Sequence, residues 1–180
     1  MLKKLIVLLL SMGVILIPSG ANASSHAKTL GNLGMNEIMF AQMMIPHHEQ
    51  AISISGTALK KSRNQGVLTL ARQIKSLQSS EKSQLTYWLK ATGSSLTMDH
   101  DMSMPGMLTI KELASLNRLT GTEFDRTFLQ LMIKHHQGAL EMLDLISGSK
   151  NAEAKALAKA IKSAQSKEIS SMKLLLNKLK

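Results

Sequence analysis

The sequence predicts an all-α protein, a four-helix bundle built from two duplicated helical hairpins. Apolar positions recur with steps of three and four residues, which is the period of an amphipathic helix. Residues 43–52 return 88 positions later as residues 131–140, and residues 70–81 return 87 positions later as residues 157–168. Because both helices of one hairpin recur, the whole hairpin is duplicated, and two such hairpins are expected to pack as a bundle.

The first 23 residues are typical of an export signal. Lys3 and Lys4 form the positive end, residues 5–17 form the apolar run, and Ala21-Asn22-Ala23 forms a small-residue cleavage site. A retained membrane span needs about 20 apolar residues, and this run is interrupted at Pro18. We therefore expect a mature chain of residues 24–180 without a membrane span, located in the periplasm or secreted.

The mature chain is predicted to be one domain with three parts. The first hairpin covers about 36–91, with a turn at Asn64-Gln65-Gly66, and the second covers 122–180, with a turn at 147–149. A crossover of residues 92–121 joins them and contains a short helix opened by the capping box of Thr109 and Glu112. A similar pair, Thr122 and Asp125, is expected to open the third long helix.

Composition limits the function classes. Cysteine is absent, so disulfides and thiolate ligands are excluded. The net charge is +10, but the lysines are scattered at helical spacing as on a solvated face, and so few aromatic residues leave little for base stacking. Nucleic acid is therefore not an expected partner. The aromatic residues are predicted to lie in the core: Phe40, Tyr87, Trp88, Phe124 and Phe128.

Two pairs of adjacent histidines are the main candidate ligands. His47-His48 and His135-His136 occupy equivalent positions of the repeat. One helical turn earlier lie Met43 and Met44 in the first copy and Met132 in the second. Four buried imidazoles would each need a partner, which packing alone does not explain. Adjacent positions differ by about 100° around a helix, so one histidine of each pair is expected in the core and the other in a groove or at the surface.

Two carboxylates recur at equivalent positions of the second and fourth long helices. Glu81 and Glu168 each follow a glutamine, Gln78 or Gln165, by one turn. They are expected to face the histidine-bearing helices, either as auxiliary ligands or as groups that orient the imidazoles. The alternative is that both lie on a lysine-rich surface.

The crossover is rich in possible copper ligands. Residues 98–107 contain four thioethers, one imidazole and two carboxylates within ten positions. Thioether and imidazole favour copper, above all Cu(I), over harder cations. The alternative is that these methionines cover one open end of the bundle. The predicted ligands of this segment are Met98, His100, Met102, Met104 and Met107.

The blocks at residues 40–52 and 124–142 resemble the domain-of-unknown-function family numbered 305. In this sequence they read Phe40-x-x-Met43-Met44-Ile45-Pro46-His47-His48 and Phe128-Leu129-x-x-Met132-Ile133-Lys134-His135-His136, with Met142 one turn later. The family is associated with exported, ferritin-like four-helix proteins, among them CopM-type copper-binding proteins implicated in copper resistance. The resemblance implies a metal-binding role for His47, His48, Met43, Met44, His135, His136, Met132 and Met142.

Three functions follow as hypotheses. The first is a periplasmic copper-binding protein that sequesters Cu(I), or transfers it to a periplasmic partner, without catalysis; Cu(II) and Ag(I) are further possible ions. The second is a ferritin-like di-metal oxidase, which the absence of a Glu-x-x-His motif argues against. The third is a metal-independent interaction module that uses its methionine-rich segment as an adaptable surface.

Overall fold

The computed structural model describes residues 33–98 and 104–179. The predicted export signal, residues 1–23, therefore lies outside the described residues, as do His100 and Met102 of the crossover. No helix among the described residues is both long enough and apolar enough to cross a membrane.

Four long helices form the bundle, as the sequence predicts. They are α1 (Met35–Lys61), α2 (Gln65–Ala91), α4 (Gly121–Met142) and α5 (Ala152–Lys178). The short α3 (Ile110–Arg118) lies in the crossover, and a 3-10 turn (Leu143–Ile146) extends α4. α1 packs on α2 and α4 packs on α5, while α1 also contacts α4 and α2 contacts α5. Within the described residues there is no strand.

The two hairpin turns are closed by equivalent asparagine caps. The Asn64 side chain accepts hydrogen bonds from the amides of Gly66 and Val67, and the Asn151 side chain does the same for the first turn of α5. Such caps satisfy amides that have no partner within their helix. The predicted capping box of Thr109 and Glu112 is confirmed at α3.

The predicted capping box at the start of α4 is wrong. The helix begins at Gly121, so the cap residue is Thr120 and not Thr122, and Thr120 makes no side-chain cap hydrogen bond. Asp125 is turned inward instead and is 5% exposed. A spacing of three between Thr122 and Asp125 suits a cap, but the packing of α4 places the carboxylate against the bundle.

The apolar core is divided into two clusters. The first contains Phe40, Trp88, Met142 and Leu157, and the second contains Ile54, Ile74, Phe128 and Met172, each with their neighbours. Each long helix contributes residues to both. The two clusters therefore lie at different levels along the bundle.

Four of the five aromatic residues lie in this core, as predicted. Phe40, Phe124 and Phe128 are fully buried and Trp88 is 1% exposed. The expectation for Tyr87 is wrong, because its side chain is 49% exposed. Tyr87 directly precedes Trp88 on α2, so it lies about 100° away around the helix and leaves the core-facing side to the tryptophan.

Candidate metal centre

A layer of buried polar side chains separates the two apolar clusters. On α1 the residues of this layer follow Ile45 of the first cluster and precede Ala51 of the second, and each other long helix shows the same interruption. Every member is at most 8% exposed. We call this set the polar layer: His47, His48, Gln78, Glu81, His135, His136, Gln165 and Glu168.

The first histidine of each pair meets its repeat equivalent at the centre of the layer. The ring centroids of His47 and His135 are 3.7 Å apart, with the ring planes inclined by 35°. Nε2 of His47 donates a hydrogen bond of 3.1 Å to the carbonyl oxygen of Pro105. A carbonyl can only accept, so Nδ1 of His47 carries the free lone pair.

The second histidine of each pair lies beside a carboxylate of its own hairpin. Nε2 of His136 is 2.7 Å from Oε2 of Glu168 in a buried hydrogen bond. Nε2 of His48 is 3.0 Å from Oε2 of Glu81, although the two groups are not aligned for a hydrogen bond. The expectation that Glu81 and Glu168 face the histidine-bearing helices is therefore confirmed.

The expectation that one histidine of each pair would lie in a groove or at the surface is wrong. All four imidazoles have no exposed surface. Both faces of α1 and α4 at this level are covered, because each helix packs on the other and on the second helix of its own hairpin. Two neighbours 100° apart can therefore both be buried.

Burial keeps the central imidazoles neutral. It lowers the pKa of His47 from 6.5 to about 3, and the neighbouring His48 lowers it further. Burial and the nearby His47 likewise place the pKa of His135 well below its ordinary value. A neutral imidazole has a lone pair available at neutral pH, so a metal ion would not have to displace a proton from either ring.

Many polar atoms of the layer have no protein partner. They include Nδ1 of His47, His48 and His136, both ring nitrogens of His135, and both amide atoms of Gln78 and Gln165. Buried polar atoms are normally paired, so this concentration at one level is unusual. Imidazole nitrogens without a protein partner fit a metal ion or ordered water.

The same geometry limits the kind of metal site. Across residues 33–98 and 104–179, no three histidine, aspartate or glutamate side chains converge closely enough to hold an ion together. A site with three or more protein ligands in this region would therefore take a further kind of donor beside imidazole and carboxylate, such as thioether sulfur. The predicted methionine ligands fall into three groups in the structure.

Met44 and Met132, which are equivalent in the repeat, are fully buried but lie apart. Met44 belongs to the first apolar cluster and Met132 to the second. Each is one turn from a histidine of the layer on its own helix. Their surroundings are those of packing residues, and their role as ligands stays a prediction.

Met43 and Met142 come together at a surface pocket. They are 5% and 3% exposed and line one pocket with Pro105. The exposed carboxylates Glu141 and Asp144 lie at the same pocket. Since Pro105 accepts the hydrogen bond of His47, this pair of thioethers lies next to the residue that covers the polar layer.

The described methionines of the crossover are partly buried. Met98 and Met104 pack against the first apolar cluster, and both line a second pocket, beside Pro46. The backbone amide of Met107 bonds to the carbonyl of Met104 in a turn. Both hypotheses for this segment, ion capture and cover for the bundle, therefore remain compatible with the packing of its two ends.

The part of the crossover that touches the site was not found from the sequence. Pro105 and Gly106 lie directly on α4, where a side chain at position 138 would overlap the Pro105 carbonyl group. The Gln50 side chain bonds to both backbone groups of Leu108, at 3.0 and 2.8 Å. Gln50 and Gly138 are repeat equivalents. Their difference was the only sign in the sequence that a segment of the crossover contacts the helices at this position.

Comparison with known proteins identifies relatives of this fold. The sequence profile of the family "Domain of unknown function (DUF305)" matches residues 37–176. A DUF305 fragment from Deinococcus radiodurans has 32% identity and a TM-score of 0.73, covering 81% of this chain and 97% of that chain. A DUF305 protein from Streptomyces coelicolor, named as a candidate secreted protein, has 28% identity and a TM-score of 0.76, covering 80% and 93%. Comparison with curated proteins finds no match.

A third relative was crystallised with metal. The protein CopM in its Cu(I)-bound form is 29% identical, with a TM-score of 0.66, and the alignment covers 79% of this chain and 96% of CopM. CopM has also been solved in Cu(II)-bound and silver-bound forms. The profile match spans most of the sequence and includes all four histidines of the polar layer, so this chain belongs to the DUF305 family.

Proposed function

We propose that this protein binds copper, chiefly Cu(I), with Cu(II) and Ag(I) as further ions that it can hold, and that it sequesters or transfers the ion without catalysing a reaction. The observation that carries the proposal is the polar layer, in which four buried imidazoles lie together and most of their nitrogens lack a protein partner. Neutral nitrogen combined with thioether sulfur is the donor set that favours copper among the first-row metals.

The residues that would hold the ion are the layer histidines, the thioethers that adjoin Pro105, and the methionines of the crossover. His47 and His135 are in ring contact, and Met43 and Met142 share the pocket that Pro105 lines. Glu81 and Glu168 would act as auxiliary ligands or would orient His48 and His136. The Cu(I)-bound relative supports this proposal, as does the neutrality of His47 and His135.

The cellular setting is part of the proposal. The predicted export signal and the candidate secreted relative from Streptomyces coelicolor support a periplasmic or secreted location. A protein that holds copper there, and that contains no cysteine, would avoid thiol oxidation while lowering the concentration of free copper. A periplasmic acceptor of the ion would complete a transfer role.

The proposal is tested by anaerobic titration of the mature chain with Cu(I) against a competing chelator, followed by metal analysis. We expect near-stoichiometric binding in the wild type. Replacing both histidine pairs with Ala, or Met98, Met102, Met104 and Met107 with Leu, should weaken binding about tenfold or more, which is about 1.4 kcal/mol. A wild-type protein that stays free of copper, or variants that bind as the wild type does, would contradict the proposal.

A matched control separates ligation from packing. Met44→Leu and Met132→Leu preserve the volume of two methionines that lie inside the apolar clusters. If those side chains serve packing, the double variant should keep wild-type copper affinity, whereas Met43→Leu with Met142→Leu should weaken it. Circular dichroism of each variant shows that the helices are intact.

The oxidase hypothesis has no supporting observation in the described residues. A di-metal oxidase requires several carboxylates and histidines around two ions, and no group of three such side chains converges in residues 33–98 or 104–179. Oxygen consumption after addition of Fe(II) is the measurement that would favour it.

A further inference from the structure

Residues 104–108 form a strap that covers the central histidines. The strap lies between the surface and the polar layer, and the Pro105 carbonyl accepts the hydrogen bond of His47. Neither His47 nor His135 has any exposed surface. An ion in solvent therefore has no direct access to these rings while the strap is in place.

The carboxyl end of the strap is held on α1 by the Gln50 side chain. The Gln50 amide nitrogen donates to the Leu108 carbonyl at 3.0 Å, and the Gln50 amide oxygen accepts from the Leu108 amide at 2.8 Å. Leu108 itself is 5% exposed and belongs to the second apolar cluster. One glutamine thus pairs with both the N–H and the C=O of Leu108, the last residue of the strap.

The strap lies close to the backbone of α4 because Gly106 and Gly138 have no side chains. A Cβ atom at Gly138 would overlap the carbonyl group of Pro105. Gly106 has a φ of 77°, and a Cβ there would lie 2.8 Å from the His135 carbonyl oxygen. Only glycine at these two positions allows backbone to lie directly on backbone.

The same position of the repeat serves the strap in two different ways. Gln50 of the first copy binds the strap, and Gly138 of the second copy makes room for it. Both residues at this repeat position therefore adjoin the strap.

Opening the strap would leave the bundle intact. It would break the two Gln50 bonds and the His47 bond and move Leu108 out of the second apolar cluster, without breaking any hydrogen bond within a helix. Local opening of this kind costs less free energy than global unfolding. It would also free Nε2 of His47 and expose the ring pair.

We infer that residues 104–108 act as a gate over the His47–His135 pair, so that the rate of metal exchange is set by opening of the strap. This inference rests on the proposed function, because it assigns a regulation to the same site. Gln50 and Gly138 are the residues that determine how often the gate opens.

The first experiment measures the gate without metal. Diethyl pyrocarbonate modifies accessible imidazoles, and peptide mass spectrometry reports its reaction with His47 and His135. We expect slow modification in the wild type and modification roughly tenfold faster in Gln50→Ala, which loses two hydrogen bonds. The matched control is Gln137→Ala, an exposed glutamine next to Gly138, which should react as the wild type does. Equal rates in Gln50→Ala and wild type would overturn the gate.

The second experiment measures metal exchange. The Cu(I)-loaded protein is mixed with excess chromogenic chelator in a stopped-flow instrument, and Cu(I) release is followed by absorbance. Gln50→Ala and Gly138→Ala should release copper about tenfold faster than the wild type and Gln137→Ala. If Gly138→Ala fails to fold, Gln50→Ala alone decides the test.

The outcomes distinguish the inference from the proposed function. A wild type that binds copper but whose release rate is unchanged by Gln50→Ala overturns the gate and leaves the copper-binding function standing. A wild type that binds no copper overturns the function and this use of the strap, even where the modification rates show that the strap opens.

Discussion

The polar layer and the two apolar clusters occupy the same four helices but follow different rules. Residues of the clusters have hydrophobic side chains, and their equivalents in the two halves of the repeat are identical at some positions, such as Phe40 and Phe128, and different at others, such as Ile54 and Met142. Residues of the layer keep their identity in both halves, yet many of their polar atoms have no protein partner. Burial of the cluster side chains stabilises the bundle, whereas the unpaired polar atoms of the layer lower its free energy of unfolding.

A buried polar group without a partner destabilises the folded state by about 1 to 3 kcal/mol. The layer therefore lowers the free energy of unfolding of the metal-free protein. A ligand that binds the folded state stabilises it by an amount that rises with the logarithm of its concentration over its dissociation constant. Copper in the layer would therefore offset this cost. The contrast between the two regions can be tested through the free energy of unfolding, as follows.

The largest expected effect is the pH dependence of the metal-free protein. Unfolded histidine binds a proton below about pH 6.5, whereas folded His47 does so only near pH 3 and folded His135 also titrates well below 6.5. The unfolded state therefore binds more protons in this window, and the free energy of unfolding falls as the pH falls from 6.5 towards 3. Between pH 7 and 5 we expect a loss of about 2 kcal/mol from His47, and His135 adds a loss of the same sign.

Urea unfolding at several pH values measures this loss. The double variant His47→Leu with His135→Leu supplies the comparison, because it lacks the two groups whose pKa is lowered. Its free energy of unfolding should change less between pH 7 and 5 than that of the wild type. Parallel curves would show that the central pair is not held neutral by the fold.

A second effect, which does not depend on the protonation of the layer, is expected from a cavity in an apolar cluster. Phe128 is fully buried in the second cluster, so Phe128→Ala should lower the free energy of unfolding by about 3 kcal/mol. Copper stoichiometry of the folded protein should not change, since the layer lies outside the cluster. Tyr87→Ala is the matched control, and at 49% exposure it should cost less than about 1 kcal/mol. Loss of copper binding in folded Phe128→Ala would show that the two regions are not independent.

The smallest effect has the opposite sign. The Gln165 amide is buried with no partner for either polar atom, so Gln165→Leu should raise the free energy of unfolding of the metal-free protein by about 1 kcal/mol. Chemical denaturation at pH 7 measures the change, with exposed Gln137→Leu as the control. Destabilisation by Gln165→Leu would mean that the amide contributes to the fold, and the contrast between layer and clusters would then be weaker.

Much of the architecture could be predicted from local patterns. The helical period, the duplicated blocks and the turn at Asn64 predict the four long helices to within a few residues, because helix formation and capping depend on neighbours in sequence. The burial of both histidines of each pair could not be predicted in this way. A helix has two buried faces only when two other helices pack on it, and that depends on residues far away in the chain.

The placement of Glu81 beside His48 could be predicted from the sequence only in part. The repeat predicts that Glu81 and Glu168 share a role, but their burial follows from how α2 and α5 pack on the histidine-bearing helices. The error at Thr122 has the same cause, because a spacing that suits a cap was overridden by the inward packing of Asp125. Local signals compete with tertiary contacts, and the contacts determine the side chain's position.

By itself, the sequence determined which donor atoms this protein can offer and that it offers them twice, since composition and repetition are properties of the chain. Only the tertiary structure decided which of these atoms meet. It pairs His47 with His135, assigns His48 and His136 to carboxylates, and lays the Pro105 segment over the centre. The physical reason is that proximity between distant residues is set by packing of helices and loops, which depends on all contacts at once, whereas periodicity and capping depend on a few adjacent residues.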